Sequence, residues 1–362
     1  MFLTKKKILI MKRIELNKIV WSLLIALSLF TFSCSNDDTG SGANTPPVIE
    51  KVSPTLDEDG VPSQLESVNV GYANNMYIIQ GSGLKTVKKI YFNDFEAAFN
   101  PNLVTDTAIF VTIDINTPYA DASNKLKVVT DFGAAEYDFV VAPPAPIFHS
   151  FHPINAADGG QITIYGNFFL DPIVKVGDVQ AEVVSNSLTE IVVTLPSGSQ
   201  GKYVTVETIS GLGEWKTAIG TAIFDDAFYS PWDIESWNNH EYVSDYSKAF
   251  QGTTFIKKAM GAWDNIQGNW TWVDQLSGYT GIKFAIRTEV PGTMKFCFNG
   301  VWDETHLINT TTEWKEVKLT WAQLGNPAAL QNLCTFQNFS KNSAGDGIAN
   351  TIYIDNYSYT VD

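Results

Sequence analysis

The stretch Gly160-Gln-Ile-Thr-Ile-Tyr-Gly166-Asn-Phe168 decides the fold class. Polar and apolar residues alternate from Gln161 to Tyr165, the two-residue period of a strand with one face buried. The turn signal Asp158-Gly159-Gly160 precedes it. Similar short runs follow at Ile173-Val-Lys-Val176, Ala181-Glu-Val-Val184, Glu190-Ile-Val-Val-Thr194 and Tyr203-Val-Thr-Val-Glu207. Gly177-Asp178 and Pro196-Ser197-Gly198 separate them. No long amphipathic helical pattern occurs after residue 34. The segment from Pro144 to Phe224 therefore predicts a small immunoglobulin-like β-sandwich, and the chain as a whole an all-β protein.

Working outward toward the N-terminus, the same order of signals recurs. Pro47-Val-Ile49 and Val52-Ser-Pro54 open a segment in which Met76-Tyr-Ile-Ile-Gln-Gly81-Ser-Gly83-Leu84 parallels Ile162 to Phe168. Ile90-Tyr-Phe-Asn93 parallels Val174 to Gly177. This reads as an internal repeat of about 95 residues, hence a second sandwich of the same type. Ala142-Pro-Pro-Ala-Pro146 between them is a stiff linker. The opening Pro146-Ile147, the strand ending in Gly166, Val176-Gly177 and Thr194-Leu-Pro196 together resemble the IPT/TIG family of immunoglobulin-like domains.

Toward the C-terminus the composition changes. Eight of the ten tryptophans lie between Trp232 and Trp321. The strand patterns there are longer: Gly281 to Arg287, Thr293 to Phe298, Lys315 to Leu319 and Thr351 to Asn356. A jelly-roll sandwich fits this segment. The expected plan is a leader over 1–33, a tether over 34–45, immunoglobulin-like domains over 46–142 and 143–224, and a jelly roll over 225–362.

The leader sets the compartment. Lys5, Lys6, Lys7, Lys12, Arg13 and Lys18 flank an apolar run from Ile19 to Phe30, which is too short to span a bilayer. Thr31-Phe-Ser33-Cys34 follows and looks like a lipoprotein cleavage site, with Cys34 the lipidated residue. The alternative is a secreted chain with an incidental cysteine. Asp37-Asp38 in the polar tether resembles the surface-export signal of Bacteroidota lipoproteins. Cys297 and Cys334 either pair in an oxidising compartment or stay as buried thiols.

The formal net charge of −15 excludes nucleic acid as a partner, because phosphate neutralisation needs a basic surface. It disfavours an anionic polymer in the same way and leaves a neutral one unpenalised. There is no G-x-S-x-G, H-E-x-x-H or phosphate-cradling glycine loop. Glycan hydrolysis needs a tuned pair of carboxylates, and Asp264, Asp274, Glu289, Asp303, Glu304 and Glu313 form no assignable motif. His149 and His152 read as structural. The chain is expected to bind, not to catalyse.

The aromatic-rich stretch Gly261-Ala-Trp263-Asp-Asn-Ile-Gln-Gly-Asn-Trp270-Thr-Trp272 interleaves indoles with loop-forming residues. Exposed tryptophans mark contact sites, and a broad indole plane suits the apolar face of a pyranose. Trp263 and Trp302 are expected to be exposed, and Trp270 and Trp272 to share one face, either cleft or core. Trp314 and Trp321 are expected in the core. If Phe284, Ile286, Phe296 and Phe298 point inward, Arg287 and Asn299 point outward and line one sheet face with Trp302.

At this point the chain resembles the surface glycan-binding lipoproteins of Bacteroidota glycan-import loci. Phe224-Asp-Asp226-Ala-Phe228, Leu276 to Ile286, Glu313-Trp314-Lys315-Glu-Val317 and Ile352-Tyr-Ile-Asp355-Asn356 are similar to jelly-roll carbohydrate-binding modules. The resemblance implies capture of a neutral polysaccharide, with a β-linked glucan or hemicellulose favoured. An outer-membrane glycan transporter and its lid lipoprotein are the implied neighbours. It also implies a structural calcium, with Asp225, Asp226 and Asp355 as ligands. An adhesin or assembly module that contacts a protein is the competing reading.

Overall fold

A computed structural model describes residues 45–362, Glu58 excepted. The leader, Cys34 and the acidic pair lie outside the described residues. All regular elements described are strands, apart from one 3-10 turn at Ser236–Asn238.

The first two domains share one topology. In the first, Val48–Pro54, Met76–Ser82, Ala108–Thr112 and Phe99–Val104 form one sheet in that order. Phe95–Ala97, Val87–Phe92, Lys125–Thr130 and Gly133–Asp138 form the facing sheet. In the second, Ile147–His152, Gln161–Asn167, Glu190–Thr194 and Glu182–Asn186 face Val179–Gln180, Ile173–Val176, Val204–Thr208 and Gly211–Glu214. Ile79, Phe92, Ile109 and Val128 fill the first core, and Ile164, Val174, Val193 and Val206 the second.

The repeat extends to a single glycine. The first strand pair of each domain shifts register, at Ile49/Lys51 and at Phe148/Ser150. The bulge drives a carbonyl onto the opposite strand. A Cβ on Gly81 would lie 1.9 Å from Val48 O, and one on Gly166 would lie 2.0 Å from Ile147 O. Only glycine admits that approach. These two glycines give a repeat 85 positions long rather than about 95, because the first domain spends extra chain on a parallel pair, Val70–Tyr72 with Val140–Ala142.

The third domain is a two-sheet sandwich. Asn350–Thr360 is the spine of the larger sheet. Ala222–Asp225 and Thr254–Met260 pair along one side of it, and Gly281–Thr288 then Lys315–Thr320 along the other. The smaller sheet runs Asn265–Ile266, Thr335–Asn338, Gly292–Cys297, Leu307–Thr310. Phe284 ties the two together, its ring centre 5.5 Å from Phe296, 5.1 Å from Phe336 and 5.1 Å from Tyr357. Each such buried side chain contributes roughly 1.5–3 kcal/mol. Cys297 and Cys334 are buried free thiols, so they do not pair.

Three expectations need correction. The last domain does not begin at residue 225. Ala222 pairs with Ser358 and Phe224 with Tyr357, so a boundary after Phe224 cuts through a strand. Trp314 is not in the sandwich core. It is half-buried on the outer face of the larger sheet, against Phe250 and Phe255. Trp321 is partly buried at the core's margin, with its indole N–H donating to Tyr279 O at 2.7 Å.

Candidate functional site

The smaller sheet of the third domain presents its outer face to solvent. Ile266, Met294, Phe296 and Phe336 point into the core, so their neighbours point out. One rung of that outer face reads Asn265, Gln337, Lys295, Leu307. Aromatic rings flank the rung. Trp263 lies 4.9 Å, centre to centre, from Phe339, edge to face. Lys295 Nζ sits 4.5 Å from the Phe339 ring centre and 5.9 Å from that of Trp302. Its ammonium donates to Trp302 O at 2.8 Å. Lys341 Nζ lies 5.5 Å from the Trp263 ring and 6.0 Å from Phe339. Gln337 Nε2 donates to Trp263 O at 2.9 Å. The sheet thus brings Trp263 and Trp302 together across a polar floor.

Trp263 is held there against its backbone preference. Its φ is +65°, a region that costs a bulky side chain about 1–3 kcal/mol. The indole is seated on bare backbone: a Cβ on Gly347 would come within 2.8 Å of its Cε2 and Nε1. Even so, the residue remains 43% exposed. Strain maintained for an exposed ring points to a contact role rather than to packing.

Trp270 and Trp272 are both exposed. Trp272 pairs with Gln331, and Val273 with Leu330. Leu330 is core and Val273 packs against it, so Trp272 and Gln331 point away from the core. Gln331 and Gln337 are six residues apart, so this second patch lies at most about 20 Å along the chain from the first. Trp237, on the 3-10 turn, is also exposed.

Indole N–H groups sort the tryptophans of the third domain in much the same way, while Trp215 of the second domain keeps a buried N–H without a partner. Those of Trp232, Trp314 and Trp321 donate to Tyr359 Oη, Lys248 O and Tyr279 O. Among the described residues, those of Trp237, Trp263, Trp270, Trp272 and Trp302 find no protein acceptor within hydrogen-bond distance, although Trp302, expected to be exposed, is half-buried because its ring lies over Lys295.

Two of the polar residues expected here are placed differently. Arg287 is on the larger sheet, its guanidinium 3.8 Å from the Tyr353 ring centre and 5.1 Å from that of Trp314. The strands Gly281–Thr288 and Gly292–Cys297 follow one another in sequence but belong to different sheets. Residues 289–291 turn the sandwich corner, so Arg287 and Trp302 share no face. Asn299 stands at the end of the smaller sheet with its amide engaged. Its Nδ2 donates to Ala329 O at 2.9 Å, and its Oδ1 accepts the Gln331 N–H at 2.7 Å. It clamps the Trp272–Gln331 ladder. Phe339, Lys295, Lys341 and Gln337 were not singled out from sequence. The alternation around Phe296 and Phe336 could have placed Lys295 and Gln337 outward.

The three carboxylates expected to hold calcium do not fit that ion. Asp226 Oδ1 accepts the N–H groups of Thr253 and Thr254, both at 2.6 Å, and its Oδ2 faces Thr253 Oγ1. Asp355 Oδ2 accepts from Phe250 N and Gln251 N, and its Oδ1 from Asn356 N. Asp225 Oδ2 faces His152 Nδ1 at 3.0 Å and accepts the Ile154 N–H at 3.0 Å, leaving Oδ1 as its one orphan. Calcium needs six to eight oxygens. Among the described residues no group of three or more His, Cys, Asp or Glu side chains is placed to hold a metal. These acids instead cap backbone donors at the seam between the second and third domains. Burial pushes the Asp355 carboxyl up to about 8.

A cleft in that seam is lined by Tyr203, Trp215, Lys283, Glu316, Lys318 and Asp362. Four of its charges pair off, with Lys283 Nζ 3.1 Å from Glu316 and Lys318 Nζ 3.0 Å from Asp362. It reads as a junction.

Comparison with known proteins places the second domain. Residues 146–222 match the IPT/TIG domain and form one. An IPT/TIG domain-containing protein of Bacteroides ovatus is 28% identical over 233 residues, covering 57% of this chain and 46% of that protein. The chain thus spans about half the length of the curated relative it matches. Among solved structures, it is similar to the surface glycan-binding protein PbSGBP-B from Prevotella bryantii. That match has 18% identity and a TM-score of 0.49, over 88% of this chain and 99% of that one. It is also similar to SGBP-B from a complex xyloglucan utilization locus in Bacteroides uniformis, with 15% identity and a TM-score of 0.31, over 87% and 99%.

Proposed function

We propose that the chain is a cell-surface polysaccharide-binding protein that captures glycan through the outer face of the smaller sheet in its third domain. The observation that carries this reading is Trp263: an exposed indole held at positive φ, seated on Gly347, beside Phe339 and across a polar rung from Trp302. Flat rings take the C–H faces of the sugar. Gln337, Asn265 and the free indole N–H groups are placed to take its hydroxyls. An extended β-linked chain, a glucan or hemicellulose, suits separated flat platforms better than a helical one does. The role is capture without catalysis. Cys34 would anchor the protein in the outer membrane, facing outward, beside a glycan transporter and its lid lipoprotein.

The test is titration and melting of single variants. Trp263→Ala and Trp302→Ala should each cost about 2 kcal/mol of binding, about thirtyfold in Kd, with little change in Tm for the exposed Trp263 and a moderate fall for the half-buried Trp302. Gly347→Ala should weaken binding while deleting no aromatic side chain, because its methyl unseats the Trp263 indole. Normal glycan binding by all three variants would remove this face from the function. Release of reducing sugar by the wild type would make the protein an enzyme instead.

A further inference from the structure

Three lysines of the third domain are buried: Lys258, Lys283 and Lys295. Two have a carboxylate partner. Lys258 Nζ lies 3.8 Å from Asp264 and Lys283 Nζ 3.1 Å from Glu316. Lys295, only 5% exposed, has no carboxylate within 4.0 Å among the described residues. Of its three N–H donors, one is engaged, by Trp302 O. Asp303 feels its charge, but that carboxylate takes the Thr305 N–H and stays out of ion-pair reach. Burying an ammonium without a counter-charge is costly. The ring faces of Phe339 and Trp302 offset part of this. Lys341, also without a carboxylate partner within 4.0 Å among the described residues, stands over Trp263 on the same face. The face therefore holds two cations with no ion-pair partner within 4.0 Å among the described residues, Lys295 buried between aromatic rings and Lys341 exposed beside Trp263, in a chain whose net charge is −15.

We propose that this face takes a glycan carrying carboxylate groups, a uronate-bearing polysaccharide, with the exposed Lys341 receiving the carboxylate beside Trp263 and the buried Lys295 adding its positive charge from behind Phe339 and Trp302. The proposal rests on the polysaccharide-binding reading above and replaces the neutral ligand that net charge suggested. Net charge describes the whole chain. Its repulsion is screened beyond about 8 Å at physiological salt, whereas a sugar stacked on Trp263 lies beside the Lys341 ammonium, which stands 5.5 Å from that ring.

The experiment is affinity electrophoresis of the protein in gels containing glucuronoxylan, the same polymer with its uronate carboxyls reduced to alcohols, or uncharged mixed-linkage β-glucan. Wild type should be retarded by glucuronoxylan, and carboxyl reduction should weaken binding about tenfold, the value of one charge-assisted hydrogen bond. Lys341→Gln, an exposed change that folding tolerates, should abolish most of that difference, as should Lys295→Met if it folds. Equal binding of native and reduced polymer, unaffected by Lys341→Gln, would overturn the carboxylate preference. Binding of β-glucan that is lost in Trp263→Ala would then leave the glycan face standing. Retardation by none of the three polymers would overturn both.

Discussion

The two junctions of this molecule are built on opposite principles. Between the first and second domains the chain runs through Pro143, Pro144, Ala145 and Pro146, and the second domain reaches back with Ser210 Oγ, which donates to Pro143 O at 2.7 Å. Between the second and third there is no linker. Ile219 and Ala222 belong to the second core, and Ile223 and Phe224 belong to the third. Polar ties cross that seam throughout. Asn155 exchanges two 2.9 Å hydrogen bonds with the Ala222 backbone. Lys283 Nζ donates to Lys216 O at 2.9 Å, and Tyr203 Oη to Asp362 Oδ1 at 2.6 Å. Gln251 Nε2 donates to Phe151 O. An aromatic chain runs from Phe148 to Trp215, Phe250 and Trp314. The difference teaches that domain count is not unit count. The first sandwich is joined to the rest through a proline-rich segment, while the second sandwich and the jelly roll share a strand and a polar seam.

The strongest way to break this comparison is to cut the chain at each junction. A fragment of residues 144–362 should melt cooperatively and bind glycan as the whole protein does. A fragment of residues 225–362 loses Phe224 from its core, worth about 3–5 kcal/mol by itself, together with the pairing of Ala222 and the caps on Asp225. It should show no cooperative transition. Independent folding of the shorter fragment would make the two junctions equivalent.

A smaller effect separates seam from site. Trp314 and Trp215 are half-buried, so truncating either to Ala should cost about 2 kcal/mol of stability, roughly half the value of a fully buried ring. Glycan affinity should be unchanged, because both lie away from the smaller sheet. A loss of binding equal to that of Trp263→Ala would place the site on the larger sheet.

The smallest effect is a pH dependence confined to the seam. The Asp225 carboxylate beside His152 raises the imidazole above its ordinary 6.5, with burial opposing. A raised folded value means that the stabilisation is complete below about 6.5 and fades as pH climbs through the folded value. Asp355, raised by burial, has the same sign between the ordinary carboxylate range and about 8. Tm should therefore fall from pH 6 to pH 8.5, and His152→Gln should shrink the fall without removing it. An identical fall in the variant would show that His152 contributes nothing to the seam.

Strand positions were largely legible. Gln161 to Tyr165 and Gly281 to Arg287 read as strands because alternation is a local property, set by which side of one strand meets water. Gly81 and Gly166 were legible as counterparts, although their reason, a carbonyl from the partner strand at the Cβ position, was not. Sheet membership was not legible, and Arg287 shows why. Its outward direction was right, yet the corner at residues 289–291 sends the next strand to the other sheet, and nothing local distinguishes that corner from a hairpin. Asn299 failed for a related reason, since its amide is consumed by a strand that lies thirty residues away.

The sequence by itself determined the all-β class, the repeat, the tryptophan-rich third segment and the polarity of each strand. Each of these depends on neighbours within a few residues. Tertiary structure alone decided which indoles are free, because exposure depends on what the far end of the chain lays over a ring. Trp314 is covered by Phe250 and Phe255, whereas Trp263 is propped outward by Gly347, more than eighty positions away. It also decided that Lys295, an ordinary outward lysine in the strand pattern, is a buried cation, since Trp302 and Phe339 close over it from two different loops.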